Sequence, residues 1–184
     1  MRYFEKIIIM RRMLTSLLFL FVSTNVPAQV LKFETAVAYN DFIVGEQTKV
    51  GEVIKQFINT YSNSKDSTEI QQARKAIVKQ ADSAVKKLRS VAAFKGDTLL
   101  KQHAIRLFNF YSVSAANEYN QFVLLAFDTK KSNEQVNKEM TAIAKDITER
   151  EKVYDTDFQE AQKAFAAKHN IKLTENKFKL NDNE

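Results

Sequence analysis

The two histidines, His103 and His169, are the natural starting point for chemistry in a chain with no cysteine. His103 falls on an apolar stripe of helical period, where an imidazole could ligate a metal or act as a general base. A di-iron helical bundle needs Glu-x-x-His pairs projecting inward from two helices. Here Leu100 and Ala166 occupy the positions three residues before the histidines. Enzymes need a nucleophile, a base and oxyanion donors to converge, yet the serines fall mostly in loops and the histidines stand 66 residues apart. The chain therefore reads as non-enzymatic, with no catalytic residue, no metal and no cofactor. His103 is expected as a partly buried structural residue. His169 is expected as a cation favoured by the C-terminal end of a helix dipole.

Binding is the remaining chemistry, and two patterns suggest where. Two of the three glycines, Gly45 and Gly51, lie inside a helical pattern, where each costs about 1 kcal/mol relative to Ala. Either a close helix crossing or kink compensates, or the bundle opens there to a ligand or partner. Glu46 and Gln47 lie between them, and Gln47 takes a place where the stripe should be apolar, as a polar residue that fixes register would. The second pattern is the likeness of "AYNDFIV" (38–44) to "EYNQFVL" (118–124), which share Tyr-Asn followed by Phe at an offset of 80 residues. An internal pseudo-repeat would place Tyr39-Asn40 and Tyr119-Asn120 in related layers. The alternative is coincidence, with Tyr rings in the core, hydroxyls reaching solvent and Asn outside. The candidate ligand-binding set is Tyr39, Asn40, Gly45, Gln47, His103, Tyr111, Glu118 and Tyr119, in an aromatic cluster between helices 1 and 3.

The elements that would carry these residues are helices. There is no proline after Pro27 and no Trp, so nothing punctuates the chain as strands and hairpins require. Apolar residues recur at spacings of three and four in four segments, predicting helices over roughly 31–61, 67–94, 98–127 and 133–168. Asp66 or Ser67 is the expected N-cap of the second. Gly96 suits a left-handed C-cap, and Asp97 can cap the third helix. Ser132 and Gln135 stand at capping-box spacing before the fourth. Short loops between helices of roughly 40–50 Å predict an all-α, up-down-up-down antiparallel four-helix bundle. The third helix is apolar over more than one face, so it is either buried on several sides or presents a patch to a partner. Ile171, Leu173, Phe178 and Leu180 give the tail, 171–184, a means of folding back.

The N-terminus answers where the bundle works. Arg2, Lys6, Arg11 and Arg12 precede an apolar run from Met13 to Val22, and Val26-Pro27-Ala28 supplies small residues for a peptidase. This is the layout of a signal peptide cleaved after Ala28. The run is shorter than the roughly 20 residues of a spanning helix, so the processed chain is not expected to be an integral membrane protein. Removing residues 1–28, with four basic side chains and Glu5, leaves 24 basic against 21 acidic. A surplus of three, interspersed, excludes a nucleic-acid footprint. The oligomeric state is left open.

The signal, together with "YNDFIVGEQ" (39–47) and "AQKAFAAKHNIKL" (161–173), resembles a family of exported surface proteins of Bacteroidetes and Leptospira with no assigned activity. The resemblance implies secretion and a helical bundle, and brings no catalytic residues. The expected function is contact with an envelope or extracellular protein, in the periplasm, at the cell surface or in the medium. The alternative is binding of a small or lipid-like ligand between helices 1 and 3.

Overall fold

The computed structural model describes residues 31–173. The signal segment 1–28 and tail residues Phe178 and Leu180 lie outside the described residues. The described chain is all-helical: α1 (Ala36–Asn63), α2 (Ser67–Arg89), α3 (Leu99–Ala116), α4 (Glu118–Ala126) and α5 (Asn133–Lys168). Neighbours in sequence pack together, α1 on α2, α2 on α3 and α4 on α5, while α3 also packs on α5. No helix among the described residues is long and apolar enough to cross a membrane.

Local chemistry sets the helix ends. Thr35 accepts the Ala38 amide at 3.1 Å, so α1 starts five residues later than expected. Before it, Leu31 exchanges backbone hydrogen bonds with Ser90 and Ala92. Asp66 caps α2 through the Thr68 amide at 2.7 Å. The Ser132–Gln135 capping box opens α5 with both reciprocal bonds formed. Gly96 does adopt a positive φ of 79°, but it is not the cap of α2, which ends at Arg89 rather than near 94. Residues 90–98 instead form a loop that turns Val91 and Phe94 inward. In that loop Asp97 accepts the Leu99 amide at 3.2 Å.

The largest departure is in the third predicted helix, which is two helices divided at Asn117. The Asn117 amide bonds the Val113 carbonyl at 3.0 Å, and its side-chain Nδ2 donates to that same carbonyl at 3.1 Å. Both bonds form together, since a carbonyl oxygen carries two lone pairs. The helix lapses at this one residue, although its φ of −106° and ψ of −74° stay in the right-handed helical region.

The division also separates the two expectations for the apolar third segment. On α3, Leu100, Leu107, Phe108, Phe110 and Tyr111 are all buried, as a helix enclosed on several sides requires. On α4 only Val123 and Leu125 are buried, and Leu124 is 60% exposed. The core is otherwise continuous, with Tyr39, Ile43, Val50 and Ile54 of α1 meeting Ile77, Ala81 and Leu88 of α2 and Phe158 and Phe165 of α5. Fully burying one such side chain contributes about 1.5–3 kcal/mol. α5 meets this core only from Ile143 on, and its first buried residue is Ile147.

Candidate functional site at the helix break

The break brings together side chains from four helices. The Ala115 carbonyl just before it accepts a 2.8 Å hydrogen bond from Nη1 of Arg74, a residue of α2 only 9% exposed. The Arg74 Nε donates to Gln71 at 2.7 Å, and Gln71 Nε2 donates at 3.0 Å to Asn120 beyond the break. Among the described residues no carboxylate lies within ion-pair distance of Arg74, and burial lowers its pKa from the usual value. On the opposite side Glu118 pairs with Arg150 of α5, which also meets Asp146 at 2.8 Å and lies 5.5 Å over the Phe110 ring.

Beneath this pair sits a partly buried acidic and phenolic cluster. Tyr111 donates to Glu151 at 3.0 Å, and Tyr119 stacks on Phe57 of α1 with ring centres 5.3 Å apart. Burial, and then the Glu151 carboxylate, push the Tyr111 hydroxyl well above its usual range. Tyr119 is raised by burial and by Glu151 and Glu118. Burial also raises Glu151, with Asp155 adding to the effect and the Tyr111 hydrogen bond opposing it. Asp155 is raised by burial against the opposing bond from Gln159. Above the cluster an open depression of about 370 Å³ is lined by Asn117, Glu118, Gln121, Ala142, Ile143 and Asp146. Among the described residues no group of three or more His, Asp or Glu side chains is placed to hold a metal. The arrangement favours the protonated form of Glu151 and Asp155 and holds a phenol against one of them.

Of the eight sequence candidates, the break gathers Tyr111, Glu118 and Tyr119. It does not gather the others. Tyr39 lies eighteen residues before Phe57 on α1, about 27 Å along the helix at 1.5 Å per residue. One cluster between helices 1 and 3 was expected; the residues divide between the two ends of α1. At its own end Tyr39 is fully buried among Phe33, Phe94 and Phe165, with its hydroxyl lacking a well-aligned partner. Burial and the nearby Asp97 carboxylate push its pKa up to about 12. Asn40 is buried, not outside, and accepts a 2.9 Å bond from Gln162 of α5. The two Tyr-Asn pairs thus share a local role, a ring in an aromatic contact and an amide bridged to a Gln of another helix.

The remaining candidates are isolated. A Cβ built on Gly45 would meet nothing within 4 Å, so no close crossing explains that glycine, whereas Gly51 is buried. Gln47 is half-buried with an unpartnered Oε1. The seam position belongs to Glu46, 2% exposed, which pairs with Lys49 at 2.6 Å and with Lys87 of α2 at 2.9 Å. Burial alone would raise its pKa, but the two lysines outweigh it and hold the carboxyl below its usual range. His103 is half-buried, 3.7 Å from Asp157, with no hydrogen bond to Nδ1. His169 does more than complement a dipole. It is wedged against Phe94 and Phe165 and, with Lys168, meets the buried Asp97 carboxylate, at 3.3 and 2.9 Å.

Arg74 and Glu151 escape a search for motifs, yet a signal for them existed. Arg74 falls between Ile70 and Ile77, and Glu151 between Ile147 and Tyr154, at spacings of three and four. Like Glu46 between Ile43 and Val50, each is a charged residue on an apolar period. The sequence matches no protein-family model, and comparisons with curated proteins and with solved structures find no match.

Proposed function

We propose that this chain is an exported protein, cleaved after Ala28, that acts without catalysis by contacting another protein at the cell envelope or surface. In this proposal it belongs with the exported surface proteins that its 39–47 and 161–173 motifs resemble, and its helices form an up-down-up-down antiparallel bundle. Support for that arrangement comes from contacts that join opposite ends of paired helices. Tyr39, near the start of α1, meets Phe165, near the end of α5, and Glu46 in the first half of α1 meets Lys87 at the end of α2.

The observation that carries the contact reading is the tip formed by α4 and the first half of α5. Leu124 is 60% and Phe127 42% exposed, and no residue from Asn133 to Asp146 is buried. Val136, Met140 and Ile143 form only a half-buried stripe on that half-helix. Leu124 and Phe127, three residues apart at the end of α4, lie next to this stripe in sequence order, and adjoining exposed apolar side chains suit a contact surface. A second reading, a small apolar ligand, draws support from the depression beside Glu118 and the buried phenols below it. It would be seated at the break and not between α1 and α3 along their length.

Site-specific photo-crosslinking separates the two. A crosslinker at Leu124 or Phe127, in cells of the protein's own source, should trap one discrete protein, while one at exposed Glu52 of α1 should trap none. Failure at both tip positions, with a bound small molecule released in native mass spectrometry, would replace the contact reading with the ligand one.

A further inference from the structure

We propose that the exposed face of α5 around Ala142 pairs with the same face of a second copy of this chain, the two helices running antiparallel about a twofold axis at Ala142. Within α5 no apolar residue before Ile143 packs against the core, and Lys138, Ala142, Lys145, Asp146 and Glu149 are all exposed. Spacings of three and four set these five side chains on one face of the helix. That face adjoins the depression, whose α5 wall is Ala142, Ile143 and Asp146. The pairing goes beyond the contact reading of function, which leaves Leu124 and Phe127 to the other protein.

The order of charges names the occupant. In a twofold contact residue i meets residue j and j meets i, so side chains equally far before and after Ala142 come together. Lys138 then meets Asp146, Glu139 meets Lys145 and Glu134 meets Arg150, and each pair forms twice. From Lys130 to Tyr154 this pairing opposes no two charges of like sign. The register is specific. An axis between Thr141 and Ala142 sets Lys138 against Lys145 and Glu134 against Glu149, and one between Ala142 and Ile143 sets Glu139 against Asp146 and Glu134 against Glu151. Charges flanking a helix seam choose partner and orientation in this way. Among the described residues Glu134 and Lys138 have no ion-pair partner, and the side chains of Lys145 and Asp146 are 76% and 61% exposed, open to a further one. The small Ala142 at the axis lets the helices approach, along a contact of about 24 Å from Glu134 to Arg150.

Sedimentation equilibrium of the full chain tests it, with two charge-reversed variants. Lys138→Glu sets a like charge against Asp146 of the other copy, and Asp146→Lys does the same to Lys138. Both positions are exposed, so the core is untouched. The unaltered chain should form dimers, and each variant alone should dimerise about tenfold more weakly, as expected when exposed ion pairs become repulsions at two places. Mixed one to one, the two variants should recover the dimer, because each reversed charge then faces the other. An unaltered chain that stays monomeric, or a mixture that dimerises no better than its components, would overturn the pairing. Neither result bears on whether a different protein is trapped at Leu124 or Phe127, so the two readings fail separately.

Discussion

The two ends of α1 meet opposite kinds of surroundings. At its start, Tyr39, Phe94, Phe165 and His169 form one aromatic cluster, closed by an Asp97 carboxylate that holds both Lys168 and His169. Toward its other end, Phe57 and Tyr61 reach Tyr119 and Phe122 of a short helix whose outer side is bare. The charges differ in the same sense. Asp97 is buried, which alone would raise its pKa, but Lys168, the Leu99 amide and His169 outweigh burial and lower it. Glu151 and Asp155 are raised because burial outweighs their partners. Both ends hold ion pairs and ring contacts, but at the break end Glu118 and Arg150 lie beside two carboxyls, Glu151 and Asp155, whose burial is not offset by a cation. Sites that bind or move are drawn from the less stable parts of a fold, and the proposed contact function uses this end.

The strongest way to break that comparison is to excavate each end in turn. Phe165→Ala, 2% exposed at the fastened end, should cost about 3–5 kcal/mol in denaturant unfolding. Phe127→Ala at the tip should fall within about 0.5 kcal/mol of zero. Equal losses would mean that the tip is as integrated as the core.

The carboxylates give a pair of opposite signs. Asp97→Asn should destabilise by about 1.5 kcal/mol at neutral pH, near the low end for bonds to a charged group because Lys168 is largely exposed. Because the folded pKa of Asp97 is lowered, its contribution is present above the ordinary carboxylate range and lost as pH falls through the folded value. The Asn variant should therefore match the unaltered chain in acid. Glu151→Gln should do the reverse. A carboxyl raised in the folded state penalises folding above that value and ceases to as it protonates. Its replacement should stabilise at neutral pH and remove the gain that mild acidification otherwise brings. Unfolding curves across pH check both, and a shared sign would erase the contrast.

The smallest effect concerns α1 between the two ends. Gly45→Ala should stabilise by about 0.4–1 kcal/mol, since the added methyl meets nothing and helix propensity rises. A loss measured by thermal unfolding would show a close neighbour there.

Helical periodicity and capping chemistry made most of the fold legible. The α2 start at Asp66, the Ser132 box and the α5 limits follow from residue types a few positions apart. The Asn117 break was hidden because neither Pro nor Gly marks it, and Arg74, which bonds the carbonyl just before it, lies 41 residues earlier in the chain. Spacing could place Tyr111, Glu118 and Tyr119 on one segment, but Glu151 joins them only through the packing of α3 on α5. Tyr39 and Tyr119 shared a motif without sharing a location, because likeness in sequence fixes a local role and not a place in the bundle.

The contrast between the ends is tested most directly by limited trypsin digestion under native conditions, followed by intact mass. Two loops offer comparable exposed lysines: Lys95 at the fastened end and Lys130 at the tip, where the half-buried Lys131 follows it. Cleavage requires local opening, so its rate reports how tightly each loop is held. Within residues 36–168 the first cuts should follow Lys130, Lys131 and Lys138, with Lys95 resistant until the whole chain unfolds. Cleavage after Lys95 as early as after Lys130 would contradict the account.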